Sequence, residues 1–220
     1  APLYLLITED KAELKPATHL WGRDTYDTQD ALRDENGLKK HGGSSVLAIG
    51  PAGENLVGGA MICNDKHHAF SHSAMGTVMG WKRLKAIVVS GKPRQMPLAD
   101  PERFKRNAER WRSVVLDGSV AAVVAGGAIP KSEMQGLKDM GLLTHNNFSG
   151  EPFPEYALGM SQNEIKSQPC WGCPIGCAYQ IKILQGPEKG AVAYPCGGAE
   201  NLEGVGSNLG IADPGSNYFL

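Results

Sequence analysis

Three of the chain's five cysteines fall within eight residues, Cys170, Cys173 and Cys177 in CWGCPIGC. No other feature restricts so tightly what the surrounding chain can fold into. Thiols at x2 and x3 spacing turn onto one centre, each binding as the thiolate. Free cysteines seldom group this way without a ligand to hold, so three merely structural thiols is the weakest reading. The motif itself lacks a fourth ligand. Cys196, in AYPCGGAE, follows nineteen residues after Cys177, and two readings compete for it. It could complete a four-cysteine zinc site in a structural or binding module that does no redox work. Alternatively, Cys170, Cys173 and Cys177 hold an iron-sulfur cluster with a remote fourth ligand, and Cys196 does something else. Pro174 and the small residues around the motif leave backbone amides free to bond cluster sulfurs, which favours the cluster.

The rest of the composition narrows the class. With 220 residues, 41% of them hydrophobic, the chain can bury a real core in one large domain or two small ones. Lys and Arg total 22 against 23 Asp and Glu, a formal charge of -1. No basic field invites nucleic acid and no polybasic run invites a membrane surface. No apolar stretch approaches the roughly 20 residues that span a bilayer, and the first residues carry no leader pattern. An odd, clustered set of cysteines suits a reducing compartment, so the expected location is cytoplasmic. The sequence opens without Met in a strand-like run and stops at SNYFL, soon after Asp213-Pro214. The expectation is a fragment of a longer chain.

Leu3–Ile7 has the length and apolarity of a strand. TYDTQDALRDEN, 25–36, opens on Thr and Asp caps and closes at Gly37, which predicts a helix. Ser45–Ile49 and Leu56–Ile62 read as strands joined by a turn at 50–55. Ser73–Leu84 reads as a small-residue helix whose Gly76 and Gly80, one turn apart, admit another backbone. The His- and Ser-rich loop before it would meet a helix N-terminus, which attracts anions. Ala86–Val89 is a buried-strand candidate, and Pro101–Leu116 predicts an amphipathic helix. Val120–Ala125 is a further apolar run, Lys131–Met140 a short helix, and 142–154 a loop containing His145. GKPRQMPLADP marks a boundary near residue 93 between a strand-rich first half and a more helical second half.

The blocks HLWGRDTYDT, AIGPAGEN, GTVMGWKRLKAIVVSGK, CWGCPIGC and GSNLGIADP occur in that order. In this order they resemble the tungstopterin-containing aldehyde ferredoxin oxidoreductase family over almost the whole chain. Within it the likeness is to the branch containing the tungsten subunit of class II benzoyl-CoA reductases. The resemblance implies an α+β architecture: residues 1–93 as part of a β-rich pterin-binding base domain, and 94–220 as the start of a mainly helical domain with cluster ligands. It implies a tungsten bis-pterin cofactor, magnesium bridging the pterin phosphates, and a [4Fe-4S] cluster held first by Cys170, Cys173 and Cys177. The fourth cluster cysteine would then fall beyond Leu220. Carried over by position, His68, Ala69 and Ser71 touch the cofactor. The aldehyde-oxidising members are rich in Arg and Gly in this loop, whereas this chain has His67, His68 and His72. Histidine can still donate to a phosphate or pterin, with a charge that depends on pH near its pKa of about 6.5.

In YPCGGAENLEGVGSNLGI, Glu200 matches a family carboxylate position and Cys196 is additional. A thiolate is a soft ligand that suits tungsten, and a cysteine on the metal is a feature of the benzoyl-CoA branch. The leading expectation is therefore low-potential reduction of an aromatic acyl-CoA, with His72 and His145 as candidate proton donors and Glu200 able to hold a proton if buried. The alternative is oxidation of aldehydes to carboxylic acids, with Glu200 as base. Expected partners are ferredoxin or iron-sulfur electron-transfer subunits in an oligomeric complex, and the expected substrate is an aryl-CoA or an aldehyde.

Overall fold

The computed structural model describes residues 1–38, 43–66, 68–70, 73–92, 97–117, 146–147, 164–174, 178–194 and 207–211. These residues belong to two compact units, Ala1–Pro97 and Leu98–Leu220. Both contain strands, and the fold is α+β.

In the first unit, strands β1 (Leu3–Ile7), β2 (Ala12–Pro16), β3 (Ser44–Ala48), β4 (Ile62–Asn64), β5 (His68–Phe70) and β6 (Leu84–Ser90) form one sheet in the order β2-β1-β6-β3-β4-β5. Only β1 and β6 run parallel; the other neighbours are antiparallel. Helix α1 (Thr25–Glu35) follows a short 3-10 turn at Thr18–Leu20. Asp24 caps it, its carboxylate accepting from the Asp27 amide at 2.8 Å, and Gly37 leaves it at φ 62°. Its Leu32 packs with Tyr4, Leu6, Leu20, Val46, Ala48, Ala86 and Val88 on one face of the sheet. A smaller group, Ile49, Ile62 and Met79, fills the other face with Leu47, Leu84 and Ile87. Alternation along β3, where Val46 and Ala48 face one way and Leu47 the other, assigns residues to the two faces.

Three expectations for this unit change. Residues 50–55 are not a plain turn, because Pro51 starts a one-turn helix, α2 (Pro51–Glu54). Leu56–Ile62 is not a strand: Leu56 sits at φ 59°, a turn follows, and β4 begins only at Ile62. Its apolar residues misled because Gly58 and Gly59 interrupt the run. The helix expected over Ser73–Leu84 is shorter, α3 (Met75–Trp81), bounded by Ala74 at φ 59° and Arg83 at φ 53°. Its glycines do admit another backbone: a Cβ on Gly80 would lie 1.9 Å from the Gly53 carbonyl oxygen, and one on Gly76 2.4 Å from that of Met61.

The described part of the second unit comprises α4 (Pro101–Asp117) and an antiparallel sheet β7-β8-β9 (Glu164–Ser167, Tyr179–Lys182, Val192–Ala193). A 3-10 turn spans Ser207–Leu209. Ala178, Ile181, Ile183 and Ala193 are its buried apolar residues. The apolar run at 120–125 and the helix expected at 131–140 lie outside the described residues.

Candidate functional site

His68 and Ala69 lie on β5, the edge strand of the six-stranded sheet. His68 is half-buried, while Ala69 and Phe70 are exposed. An edge strand presents one row of amides and carbonyls to something other than a neighbouring strand. A flat heterocycle with alternating donors and acceptors suits such an edge, and the small Ala69 side chain leaves its backbone approachable. The donor set thus fits a pterin. The anion argument weakens, however, because α3 has only seven residues and its Gly76 amide already donates to the Ala60 carbonyl at 3.0 Å. Ser71 and His72 lie outside the described residues, as do His67, His145, Cys177, Cys196 and Glu200.

The hairpin leading into β5 turns through Asp65 at φ 47° and Lys66 at φ 67°. Adjacent left-handed residues are ordinary for Asn-Gly; Asp65 tolerates the conformation, whereas Lys66 is strained by about 1–2 kcal/mol. The turn keeps its side chains because they are bonded. Asp65 Oδ1 accepts from the Val46 amide at 2.9 Å and from Arg33 Nη2, and its Oδ2 accepts from Ser45 Oγ at 2.7 Å. The Lys66 amide donates to Gln29 Oε1 at 3.0 Å, while Lys66 Nζ pairs with Asp30 at 2.5 Å and lies 5.7 Å from the Tyr26 ring centroid.

Beneath α2, Lys85 of β6 is fully buried, an ammonium that needs a partner. It donates to Glu54 Oε1 at 2.5 Å and to the Arg23 carbonyl at 2.7 Å. The second oxygen of Glu54 accepts from the Gly22 amide at 2.8 Å, so one buried pair ties β6, α2 and the loop after the 3-10 turn. Burial holds the Lys85 ammonium below its ordinary pKa, against the pull of Glu54. Burial pushes the Cys63 thiol on β4 up, against the hydrogen-bonding pull of Gln29 and Thr25, which favours the protonated form.

In the second unit the Cys173 amide donates to the Cys170 carbonyl at 2.9 Å, closing a β-turn through Trp171 and Gly172. Gly172 sits at φ 71°, the conformation that a type II turn asks of its third residue. The turn brings the two cysteine Cα atoms within about 7 Å. Cys170 is exposed and Cys173 half-buried, so both can reach a shared centre, and the donor set fits a thiolate-held cluster. Among the described residues no three His, Cys, Asp or Glu side chains converge as a metal site, Cys177 being outside them.

Residues 1–91 match the family model described as aldehyde ferredoxin oxidoreductase, N-terminal domain, and 118–218 match aldehyde ferredoxin oxidoreductase, domains 2 and 3. The chain belongs to the aldehyde ferredoxin oxidoreductase family. A tungsten-containing aldehyde ferredoxin oxidoreductase of Thermococcus kodakarensis is 36% identical to it over 96% of this chain and 34% of its own length. That of Pyrococcus furiosus is 34% identical over the same shares. More distant is the WOR-like subunit of an aliphatic sulfonate oxidoreductase from the same species, at 26%. Among solved structures, the active-site complex BamBC of benzoyl coenzyme A reductase, with 1,5-dienoyl-CoA, aligns at a TM-score of 0.71. It covers 98% of this chain and 34% of that one at 24% identity, a likeness of fold. The chain spans about a third of the length of these relatives.

Family membership leaves two groups that residue reading alone did not pick out. The anchors of the β4–β5 turn were signalled by Tyr26, Gln29, Asp30 and Arg33, an i, i+3, i+4, i+7 stripe that is polar instead of apolar. Lys85 was signalled by its place inside the apolar run LKAIVV. A charge there calls for a buried partner.

Proposed function

We propose that this chain forms part of a tungstopterin and iron-sulfur oxidoreductase whose reaction is the ferredoxin-linked oxidation of aldehydes to carboxylic acids. The observation that carries this reading is the 33–36% identity, over 96–99% of the chain, to four tungsten-containing aldehyde ferredoxin oxidoreductases. When bound, the tungsten cofactor exchanges two electrons with the substrate and a [4Fe-4S] cluster passes them on singly. The chain's own residues divide the work. Cys170, Cys173 and Cys177 hold the cluster, with the Cys170–Cys173 turn setting the first two thiolates. His68, Ala69 and Ser71 would bind the pterin at the edge strand β5, with magnesium as a further cofactor. Glu200 takes the proton from the water that adds to the aldehyde carbon. In this reading residues 1–93 serve the pterin and 94–220 the cluster. A ferredoxin or an iron-sulfur subunit in a cytoplasmic complex accepts the electrons.

One observation favours a second reading, reduction of an aromatic acyl-CoA. Cys196 is an extra thiolate donor just ahead of Glu200, and a soft ligand on tungsten would tune it for low-potential work. Here His72 or His145 supplies the protons. The full-length protein, purified without oxygen, separates the two. Aldehyde oxidation with a viologen acceptor, retained in Cys196→Ser, supports the first reading. Oxidation of a cyclic dienoyl-CoA, abolished together with tungsten in Cys196→Ser, supports the second and overturns the first.

A further inference from the structure

Helix α1 turns an unusual stripe toward the β4–β5 hairpin. Tyr26, Gln29, Asp30 and Arg33 follow one another at the spacing of a single helical face, and all four contact the two turn residues. Arg33 meets the Asp65 carboxylate, and its Nη1 also donates to Ser44 Oγ at 3.3 Å. Gln29 takes the Lys66 amide, while Asp30 and Tyr26 hold the Lys66 ammonium. From the sheet side, Ser45 Oγ and the Val46 amide serve the same carboxylate, and Asn64 Nδ2 donates to Ser45 Oγ at 2.8 Å. A turn that needed only its shape would use Asn-Gly and no partners. This one holds two left-handed residues with side chains, bonded to α1 on one side and to β3 on the other.

The turn joins β4 directly to β5, where Asn64 pairs with His68 and Cys63 with Ala69. A displaced turn therefore displaces the edge that the proposed function assigns to the pterin. We infer that Asp65, clamped by Arg33 of α1, is a positioning residue that fixes β5 in the geometry that retains the pterin cofactor. The inference rests on that assignment. Residues that orient the groups touching a cofactor or metal commonly change its affinity without touching it.

The test is the tungsten-to-iron ratio of full-length protein produced under limiting tungstate. Iron reports the cluster cysteines of the other unit, so a general loss of folding lowers both metals, whereas loss of positioning lowers tungsten alone. Asp65→Asn keeps the size of the side chain but removes its charge, and it should reduce the ratio about 10-fold. The half-exposed pair at Lys66 offers a milder variant: Asp30→Asn should reduce the ratio by a smaller factor with circular dichroism unchanged. Arg33→Lys should restore part of what Arg33→Met loses. Unchanged ratios in both Asp65→Asn and Asp30→Asn, in a protein whose wild type carries tungsten and pterin, overturn the inference. A wild type with neither overturns the cofactor assignment beneath it.

Discussion

Lys85 and Glu54 show how much one buried pair can hold. Lys85 has no exposed surface, and its partners are one carboxylate and one carbonyl. Removing one member of such a pair strands the other, at about 3–5 kcal/mol, whereas replacing both with apolar groups costs much less. Glu54→Gln and Lys85→Met should each lower the melting temperature of the protein, and the double variant should lose less than the sum of the two. Additive losses would mean the pair is not coupled. The pH dependence follows from the direction of the shift. Burial lowers the pKa of Lys85 below its ordinary 10.5, so between the two values the unfolded chain binds more protons than the folded one. Its contribution to stability therefore rises with pH through the alkaline range up to about 10.5. Lys85→Met should flatten that rise in a series of thermal melts. A steeper rise in the variant would contradict the assignment.

At the scale of elements, α2 and α3 meet backbone to backbone, because glycine stands at each contact. A methyl group on Gly80 would lie 1.9 Å from the Gly53 oxygen and 2.6 Å from its carbonyl carbon. Neither atom can rotate away as a side chain could. Gly80→Ala should destabilise by more than the roughly 1–3 kcal/mol usual for overpacking, while Gly58→Ala, with open space around it, should leave the melting temperature unchanged. Equal effects from the two would show that the contact between α2 and α3 is looser than this. Much of the fold was legible in the sequence. Helix α1 fills the expected stretch and closes at Gly37, although its cap is Asp24, one residue before that stretch; Ala86–Val89 lies within β6, and α4 starts at Pro101. The misses share a cause. Leu56–Ile62 has apolar residues without alternation, and α2 is a single turn whose only local signal is Pro51. Short elements are decided by tertiary contacts that a sequence window does not contain. At the site, the CxxC spacing announced the Cys170–Cys173 turn, and the edge position of His68 and Ala69 emerged only from strand order. The clamp on Asp65 spans 32 residues to Arg33, and no local pattern links the two.

For the molecule as a whole, we propose that one unit holds a pterin-bound tungsten and the other a thiolate-held cluster. Among the described residues no helix is long and apolar enough to cross a membrane. The metal held by the three cysteines of CWGCPIGC separates this reading from its plainest rival, a zinc site stabilising a module without redox work. Zinc on four thiolates is colourless and redox-silent, whereas a [4Fe-4S] cluster takes up and releases single electrons. The most direct measurement is metal and acid-labile sulfide analysis of the full-length protein purified without oxygen, read beside its visible spectrum. The expected result is a brown protein with tungsten, about four irons per chain and matching sulfide, in which Cys170→Ala removes iron and sulfide. A colourless protein holding zinc, with neither iron nor tungsten, would contradict it.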